Sequence, residues 1–425
     1  MTSQPAAGGA RSASHTLLVF GSSVLGTLLG LLANVLAMRA LGPAGFGVVA
    51  LAATYLTVLW QLTGRGFDQA LVRLLAERPS TDPGHAPHAA ALRLKLVLGA
   101  ALAALGVLLA APLAAFFVGP GASAWPFVVA SIGSLFATVW GCLGAVAQSR
   151  HEFGRFCALQ LGSAALRALL TAGLVLAAIL TPALAVAAMA GSYLGAMLVS
   201  RDARSASFWT TAGDAAQRST LVRYARWLVI SSTIHLLYSR LDQLMLARMA
   251  GIEAAGTYAA AAQFIQIVDL LTGALLTVML PRICAARDAQ ALSREARACL
   301  RTSLLLIVPA LPAFVVAGPL IRALLGPAYA AAVPLFLVIL PGALVNAATH
   351  PLQAVLHNRG RTHWITVLDV LTLLLSAAAF YVGIALYGLP GAGAAALLVR
   401  LLVSAAISIL VLIELRRSHD VAKGL

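Results

Sequence analysis

The 425-residue chain is 61% hydrophobic and only 10% charged, against roughly 25% charged in a soluble domain. Apolar runs of about 20 residues recur from His15 to Leu415, which excludes a soluble enzyme and predicts a polytopic helical membrane protein; the short alternating segments of a membrane barrel are missing. The net charge of +15 rests on 29 basic residues, mostly arginines in short loops, a pattern of positive-inside topology rather than of nucleic-acid binding.

The apolar pattern predicts about twelve transmembrane helices, at 15–38, 44–76, 93–118, 124–147, 156–180, 183–203, 225–248, 254–280, 300–323, 332–356, 363–386 and 391–414. Turn signals separate them at Gly42-Pro43, Gly119-Pro120-Gly121, Thr181-Pro182, Gly326-Pro327 and Leu389-Pro390-Gly391. The first run is too long for a signal peptide and reads as an uncleaved span. Basic residues fall in alternate connections, among them Arg73, Arg78, Arg93 and Lys95, then Arg150 and Arg155, then Arg282 to Arg301. The opposite side carries Arg39, Arg248 and Arg322, so both termini are expected in the cytoplasm. The non-cytoplasmic connections are too short to hold a catalytic domain, and the expectation is a protein that is not an enzyme.

Cys142, Cys157, Cys284 and Cys299 form no C-x-x-C, and the histidines lack metal-ligand spacing. The chain also lacks a phosphate-binding G-x-x-x-x-G-K-[ST] loop. No cofactor, metal or direct use of ATP is expected.

The stretch from Arg39 to Arg78 repeats 209 residues later. Arg39 falls on Arg248, Gly42 on Gly251 and Leu62-Thr63-Gly64 on Leu271-Thr272-Gly273; Arg73 falls on Arg282, Arg78 on Arg287 and Arg150 on Arg359. A gap-free offset over this distance argues for duplication. Each half then has six helices, which insert with the same orientation. The expected architecture is two parallel six-helix bundles, 1–207 and 208–425, around a central cavity.

Polar stripes at helical spacing mark several faces. Among the charged or amide positions within the spans, Arg65, Asp68, Gln69, Arg167, Arg240, Asp269 and Arg400 are the expected cavity and substrate-binding residues. Charge at membrane depth persists where it lines a cavity or finds a partner. Arg65 has Asp68 one turn away; Arg167 and Arg400 have no carboxylate nearby in sequence. Embedded arginines suit an anionic group, phosphate above all, because the guanidinium fork makes two parallel contacts. Asp68, Asp269 and Asp369 leave proton coupling open, and the sequence does not single one out. Where the first half has Arg65, Gly66, Asp68 and Gln69, the second has Ala274, Leu275, Thr277 and Val278, so charge at this depth is expected from the N-terminal copy alone.

Four stretches carry a resemblance. They are RALGPAGFGVVALA followed by FDQALVRLLAE, then SRLDQLMLARMAGIEAAGTYAAAAQFIQ, LLGPAYAAAVPLF and AVLHNRGRTHW. In order and spacing they resemble the oligosaccharide flippases of the polysaccharide transport family. That family lies within the multidrug/oligosaccharidyl-lipid/polysaccharide exporter (MOP) superfamily. The resemblance implies a bacterial inner-membrane protein that moves undecaprenyl-diphosphate-linked oligosaccharide to the periplasmic leaflet by alternating access. It implies arginines that engage the diphosphate, with Arg65 in the segment where relatives carry a functional cation. It also implies membrane lipids, a glycan polymerase or glycosyltransferases as partners, and no nucleic acid. Asp68 departs from the small or neutral residue common in that family. The alternative is a cation-coupled multidrug or small-molecule exporter of the same superfamily, which would want acidic cavity residues.

Overall fold

The computed structural model of the chain describes residues 6–77, 87–200, 215–284, 286, 288–308, 311–359 and 362–422. Among them there is no strand. The helices are α1 (Ala6–Thr63), α2 (Arg65–Glu77), α3 (Pro87–Phe117), α4 (Trp125–Ser149), α5 (Phe153–Leu176) and α6 (Pro182–Val199). They continue as α7 (Ala215–Ala250), α8 (Ile252–Cys284), α9 (Ala289–Ile307), α10 (Ala313–Leu325), α11 (Ala332–Thr349), α12 (Gln353–Asn358) and α13 (Thr362–Ala422). Every predicted span falls on helix, and three of them, 44–76, 300–323 and 332–356, are divided between two helices.

Two of the longest helices are each two helices joined at a glycine. α1 breaks at Gly42, with φ 68° and ψ 179°, and α13 breaks at Gly388, with φ 60° and ψ −131°. A residue with a Cβ pays for such a backbone; glycine does not. Pro43 follows Gly42 and restarts the helix from a position where its missing N–H costs nothing.

The second predicted span is not continuous to residue 76. It ends at Thr63, turns at Gly64, and resumes as the short amphipathic α2. α2 buries Phe67, Ala70 and Leu71 and leaves Gln69 exposed. Asp68 and Gln69 therefore lie beyond a helix break rather than inside an unbroken span. α8, the equivalent in the second half, runs through the matching positions without a break. The predicted span at 300–323 is likewise divided into α9 and α10, where Pro312 leads into α10.

The chain forms two compact units, Met1–Leu236 and Leu237–Leu425, and the limit between them falls within α7. The domain limit expected at 207/208 lies outside the described residues. In the first unit, Phe67, Leu71, Leu92, Cys142, Leu143, Val146, Leu221 and Ala225 form a core at the end where α2, α3 and α4 meet. In the second, Met279, Ile283, Leu292, Cys299, Val355, Leu368, Ile407 and Val411 do the same for α8, α9, α12 and α13. The duplication is visible in the turns. Left-handed backbone occurs at Gly42, at Gly119 and Gly121, and at Ala178 in the first unit, and at Gly251, Gly326 and Gly388 in the second.

Large apolar side chains are exposed along many helices, including Leu105, Leu108, Leu169, Leu176, Val315 and Leu374. Seven helical segments among the described residues are long and apolar enough to cross a bilayer, two of them containing the glycine breaks. Such an outer surface has lipid as its solvent.

Candidate functional site

The structure gives most of the embedded charges a partner from another helix. In the first unit, Asp68 on α2 is ion-paired with Lys95 on α3. Lys95 is completely buried, and the Asp68 side chain is 18% exposed. Sequence reasoning placed Lys95 among the loop residues that set topology and offered Arg65 as the local partner of Asp68. Burial of Lys95 in the third turn of α3 overturns the first reading, and the Asp68 partner that the structure records is Lys95. The Arg65 side chain lies outside the described residues.

Arg167, near the middle of α5, donates from Nη2 to Asn34 Oδ1 at 2.6 Å. Asn34 is buried on the first half of α1. Arg167 also interacts electrostatically with Tyr193 on α6. Among the described residues, no carboxylate comes within ion-pair distance of this guanidinium. The hydrogen bond this guanidinium makes among the described residues is to a neutral amide, so no carboxylate compensates its charge there.

Tyr193 belongs to an aromatic cluster. Trp60 of α1, Trp140 of α4 and Tyr193 of α6 have ring centroids 5.9, 6.4 and 5.2 Å apart, for the Trp60–Trp140, Trp60–Tyr193 and Trp140–Tyr193 pairs respectively. Trp140 Nε1 donates to the Leu159 carbonyl at 3.3 Å. Trp60 Nε1 and Gln61 Oε1 are buried without a hydrogen-bond partner. Gly141 faces the same place: a Cβ there would lie 3.0 Å from Asp68 Oδ2 and 3.2 Å from Trp60 Nε1.

In the second unit, Arg400 of α13 makes a two-pronged pair with Asp269 of α8, Nη1 to Oδ1 at 3.0 Å and Nη2 to Oδ2 at 3.3 Å. This is the fork geometry that favours arginine over lysine. Asp242 of α7 accepts from the Tyr258 hydroxyl of α8 at 2.7 Å and from the Gln243 amide at 2.7 Å. Arg240 and Arg400 both act electrostatically on Asp242, and Asp269 acts on His350. α7, α8 and α13 thus bring Arg240, Asp269 and Arg400 into one charged group, joined by Asp242 and Tyr258. Asp269 stands where the first half has Trp60, 209 residues earlier.

Sequence reasoning missed Lys95, Trp60, Trp140, Tyr193 and Tyr258. Hairpin register could have found Tyr258: it and Asp242 lie at similar distances on either side of Gly251, so α7 and α8 face each other there. Lys95 needed the α2–α3 packing, which no local pattern announces. His235, His357 and His363 have side chains outside the described residues.

No curated protein matches the chain in sequence. Solved structures match its fold closely at low identity. A multidrug resistance MATE family transporter of the MOP superfamily, in an inward-facing conformation, superimposes with a TM-score of 0.76 at 11% identity, covering 93% of this chain and 96% of its own. The lipid II flippase MurJ, in an inward closed conformation, gives 0.76 at 12% identity, covering 94% and 89%. A MOP superfamily transporter from Pyrococcus furiosus, described as having a binding pocket of reverse polarity, gives 0.69 at 12% identity, covering 94% of each chain. The polysaccharide biosynthesis protein family matches residues 35–334. With that match over most of its length and the fold of MOP superfamily transporters, the chain belongs to the polysaccharide biosynthesis protein family.

Proposed function

We propose that this protein is a flippase for a lipid-linked oligosaccharide, moving an undecaprenyl-diphosphate-linked glycan from the cytoplasmic to the periplasmic leaflet of the inner membrane by alternating access. Family membership supports a role in polysaccharide biosynthesis, and the fold is shared with a lipid II flippase. The observation that carries the reading is the polarity of the embedded charges. Asp68 and Asp269 are held by Lys95 and Arg400, and Asp242 by the Tyr258 hydroxyl. Arg167 has only Asn34 and Tyr193 beside it among the described residues. Three of the embedded carboxylates, Asp68, Asp242 and Asp269, are engaged, Asp369 has no ion pair among the described residues, and Arg167 meets a neutral amide; this balance favours a diphosphate over a cationic drug.

In this reading Arg167 exchanges its single bond to Asn34 for two parallel bonds to phosphate oxygens. Arg65 and Gln69 in the first unit, and Arg240 and the Asp269–Arg400 pair in the second, are the further residues we propose to act on the substrate, and Asp68 is held in place by Lys95. Both termini face the cytoplasm, as the arginine-rich connections require. Partners are then the lipid-linked glycan, membrane lipids, and the glycosyltransferases or polymerase that act before and after transfer.

The competing reading is a multidrug exporter, which shares the fold to the same TM-score of 0.76. Deletion followed by leaflet-resolved analysis of lipid-linked oligosaccharides separates the two. Intermediates stranded in the cytoplasmic leaflet are expected, restored by the wild-type gene and not by Arg167→Ala. Unchanged surface glycan with altered drug sensitivity overturns the flippase.

A further inference from the structure

A groove of about 630 Å³ runs between α5 and α6 in the first unit, with the last turn of α4 at one end. Its volume is inside the range of about 300–1,000 Å³ found for small-molecule sites. Small residues make the space: Ala158 and Gly162 of α5 and Gly195 of α6 lie along it. A Cβ added to Gly162 would meet nothing within 4 Å, so the groove is open there. On α5 the lining extends from Arg155 to Leu169, about 21 Å at 1.5 Å per residue. One leaflet contributes about 15 Å of hydrocarbon, half of a core of about 30 Å. The groove is therefore long enough for an extended chain that crosses a whole leaflet.

Its polarity is one-sided. The polar residues along it are Arg155 and Ser200, and both stand at the end where α5 begins and α6 stops. The rest of the lining is apolar or glycine. Arg155 Nη1 donates to Glu152 at 2.6 Å, and the arginine side chain is 47% exposed. Nε and Nη2 make no bond among the described residues. An exposed pair of this kind is weak, whereas a phosphate can take the guanidinium fork in two parallel bonds. A hydrocarbon slot with a cation and a hydroxyl at one end has the pattern of an amphiphile with an anionic head. The groove also lies on the face of α5 away from Arg167. Arg155, Ala158, Gly162 and Leu169 share one side of the helix; Gln160, Ser163, Arg167 and Thr171 share the other. Arg167 turns to Asn34 of α1. A lipid whose phosphate sits at Arg167 is on the wrong side of α5 to fill the groove with its tail.

We infer that this groove binds a resident anionic phospholipid, with the phosphate at Arg155 and Ser200 and one acyl chain along Ala158, Gly162 and Gly195. Basic pockets between membrane helices are suited to acidic head groups. The site is separate from the charged residues assigned to the cargo and does not depend on what the protein carries.

The test uses the full-length protein in detergent micelles, titrated with two lipid probes and read by native mass spectrometry. The probes, dioleoyl phosphatidylglycerol and dioleoyl phosphatidylcholine, share their chains and differ in net head-group charge. The wild type is expected to hold one phosphatidylglycerol about fivefold more tightly than phosphatidylcholine, the factor one arginine supplies at an acidic head group. Arg155→Ala is expected to bring phosphatidylglycerol down to the level of phosphatidylcholine and to leave the latter unchanged. Gly162→Leu fills the groove where there is room for a side chain and is expected to weaken both probes. Equal wild-type affinity for the two probes overturns the site, as does a preference that survives Arg155→Ala. Unchanged binding of both probes to Gly162→Leu overturns it as well. A dimer that Gly162→Leu dissolves would make a second copy the occupant, and displacement of phosphatidylglycerol by farnesyl diphosphate would make it the cargo; either result overturns the resident lipid.

Discussion

Lys95 and Asp68 test whether an embedded pair holds the first unit together. Lys95 is fully buried against a core that includes Leu92 and Leu143, and the Asp68 side chain is 18% exposed. Removing one partner of a buried pair costs about 3–5 kcal/mol, because the other charge is left without compensation. The two removals are not equivalent. Asp68→Ala strands an ammonium with no access to solvent, so it falls at the upper end of that range. Lys95→Met strands a carboxylate that keeps some exposure and can take up a proton, so it falls at or below about 3 kcal/mol. The double variant Asp68→Ala/Lys95→Met leaves no charge behind and is expected within about 1 kcal/mol of wild type. Equilibrium unfolding of the purified protein in mixed micelles, as a double-mutant cycle, measures all three. The expected order of stability is double variant, then Lys95→Met, then Asp68→Ala. A coupling energy below about 0.5 kcal/mol, the scatter of independent sites, would refute the claim that the pair is buried and structural. So would a double variant that is less stable than either single one.

Other consequences are as specific. Arg400→Ala leaves Asp269 without its fork partner and is expected to lower both stability and export, whereas Arg400→Ala/Asp269→Ala recovers stability but not export; thermal unfolding and glycan analysis of the wild type and these two variants separate the two effects. Asn358 Nδ2 donates to the Ile283 and Ala286 carbonyls at 2.9 and 3.1 Å, tying down the end of α8, so Asn358→Ala is expected to cost about 1–3 kcal/mol and to speed protease cleavage near residue 284. Gly42→Ala forces a Cβ onto φ 68° and is expected to cost about 1–2 kcal/mol, read as a lower unfolding midpoint with no change in probe affinity.

The helices were legible because a bilayer imposes one rule: some 20 apolar residues per span, with every backbone group bonded internally. Turns were legible for a related reason, since Gly42-Pro43, Gly326-Pro327 and Gly388 sit where no other residue restarts a helix so cheaply. The break at Gly64 was not legible. Leu62-Thr63-Gly64 has a copy at Leu271-Thr272-Gly273 that stays helical, so the same triplet gives two outcomes and tertiary packing decides. Thr63 and Thr272 each bond back into their own helix, to the Trp60 and Val268 carbonyls, but Thr63 also bonds across to Thr138 at 2.9 Å. Charges could be found in the sequence, but their partners could not. Asp68–Lys95, Arg167–Asn34 and Asp269–Arg400 each join helices separated by a turn or by much of the chain, and helical periodicity fixes which face a residue occupies without fixing what faces it.

The duplication gives that asymmetry a direction. Under the 209-residue offset the first-unit site maps onto positions without its chemistry: Asp68 onto Thr277, Lys95 onto Leu304, Arg167 onto Ser376 and Tyr193 onto Leu402. In the opposite direction, Asp269 maps onto Trp60 and Arg400 onto Gly191. Asn34 and Gln243 are an exception, an amide in both halves and buried in both. A need shared by both copies of the scaffold would repeat the polar positions along with the turns. The turns recur and the charges do not, so the embedded groups answer to something outside the packing of either unit. In the first unit that something meets a guanidinium bonded to a neutral amide, and an aromatic patch; in the second it meets an arginine already held by a carboxylate. A carrier whose cargo is anionic at one end and glycosylated next to it has a use for one strong anion site and one neutralised surface.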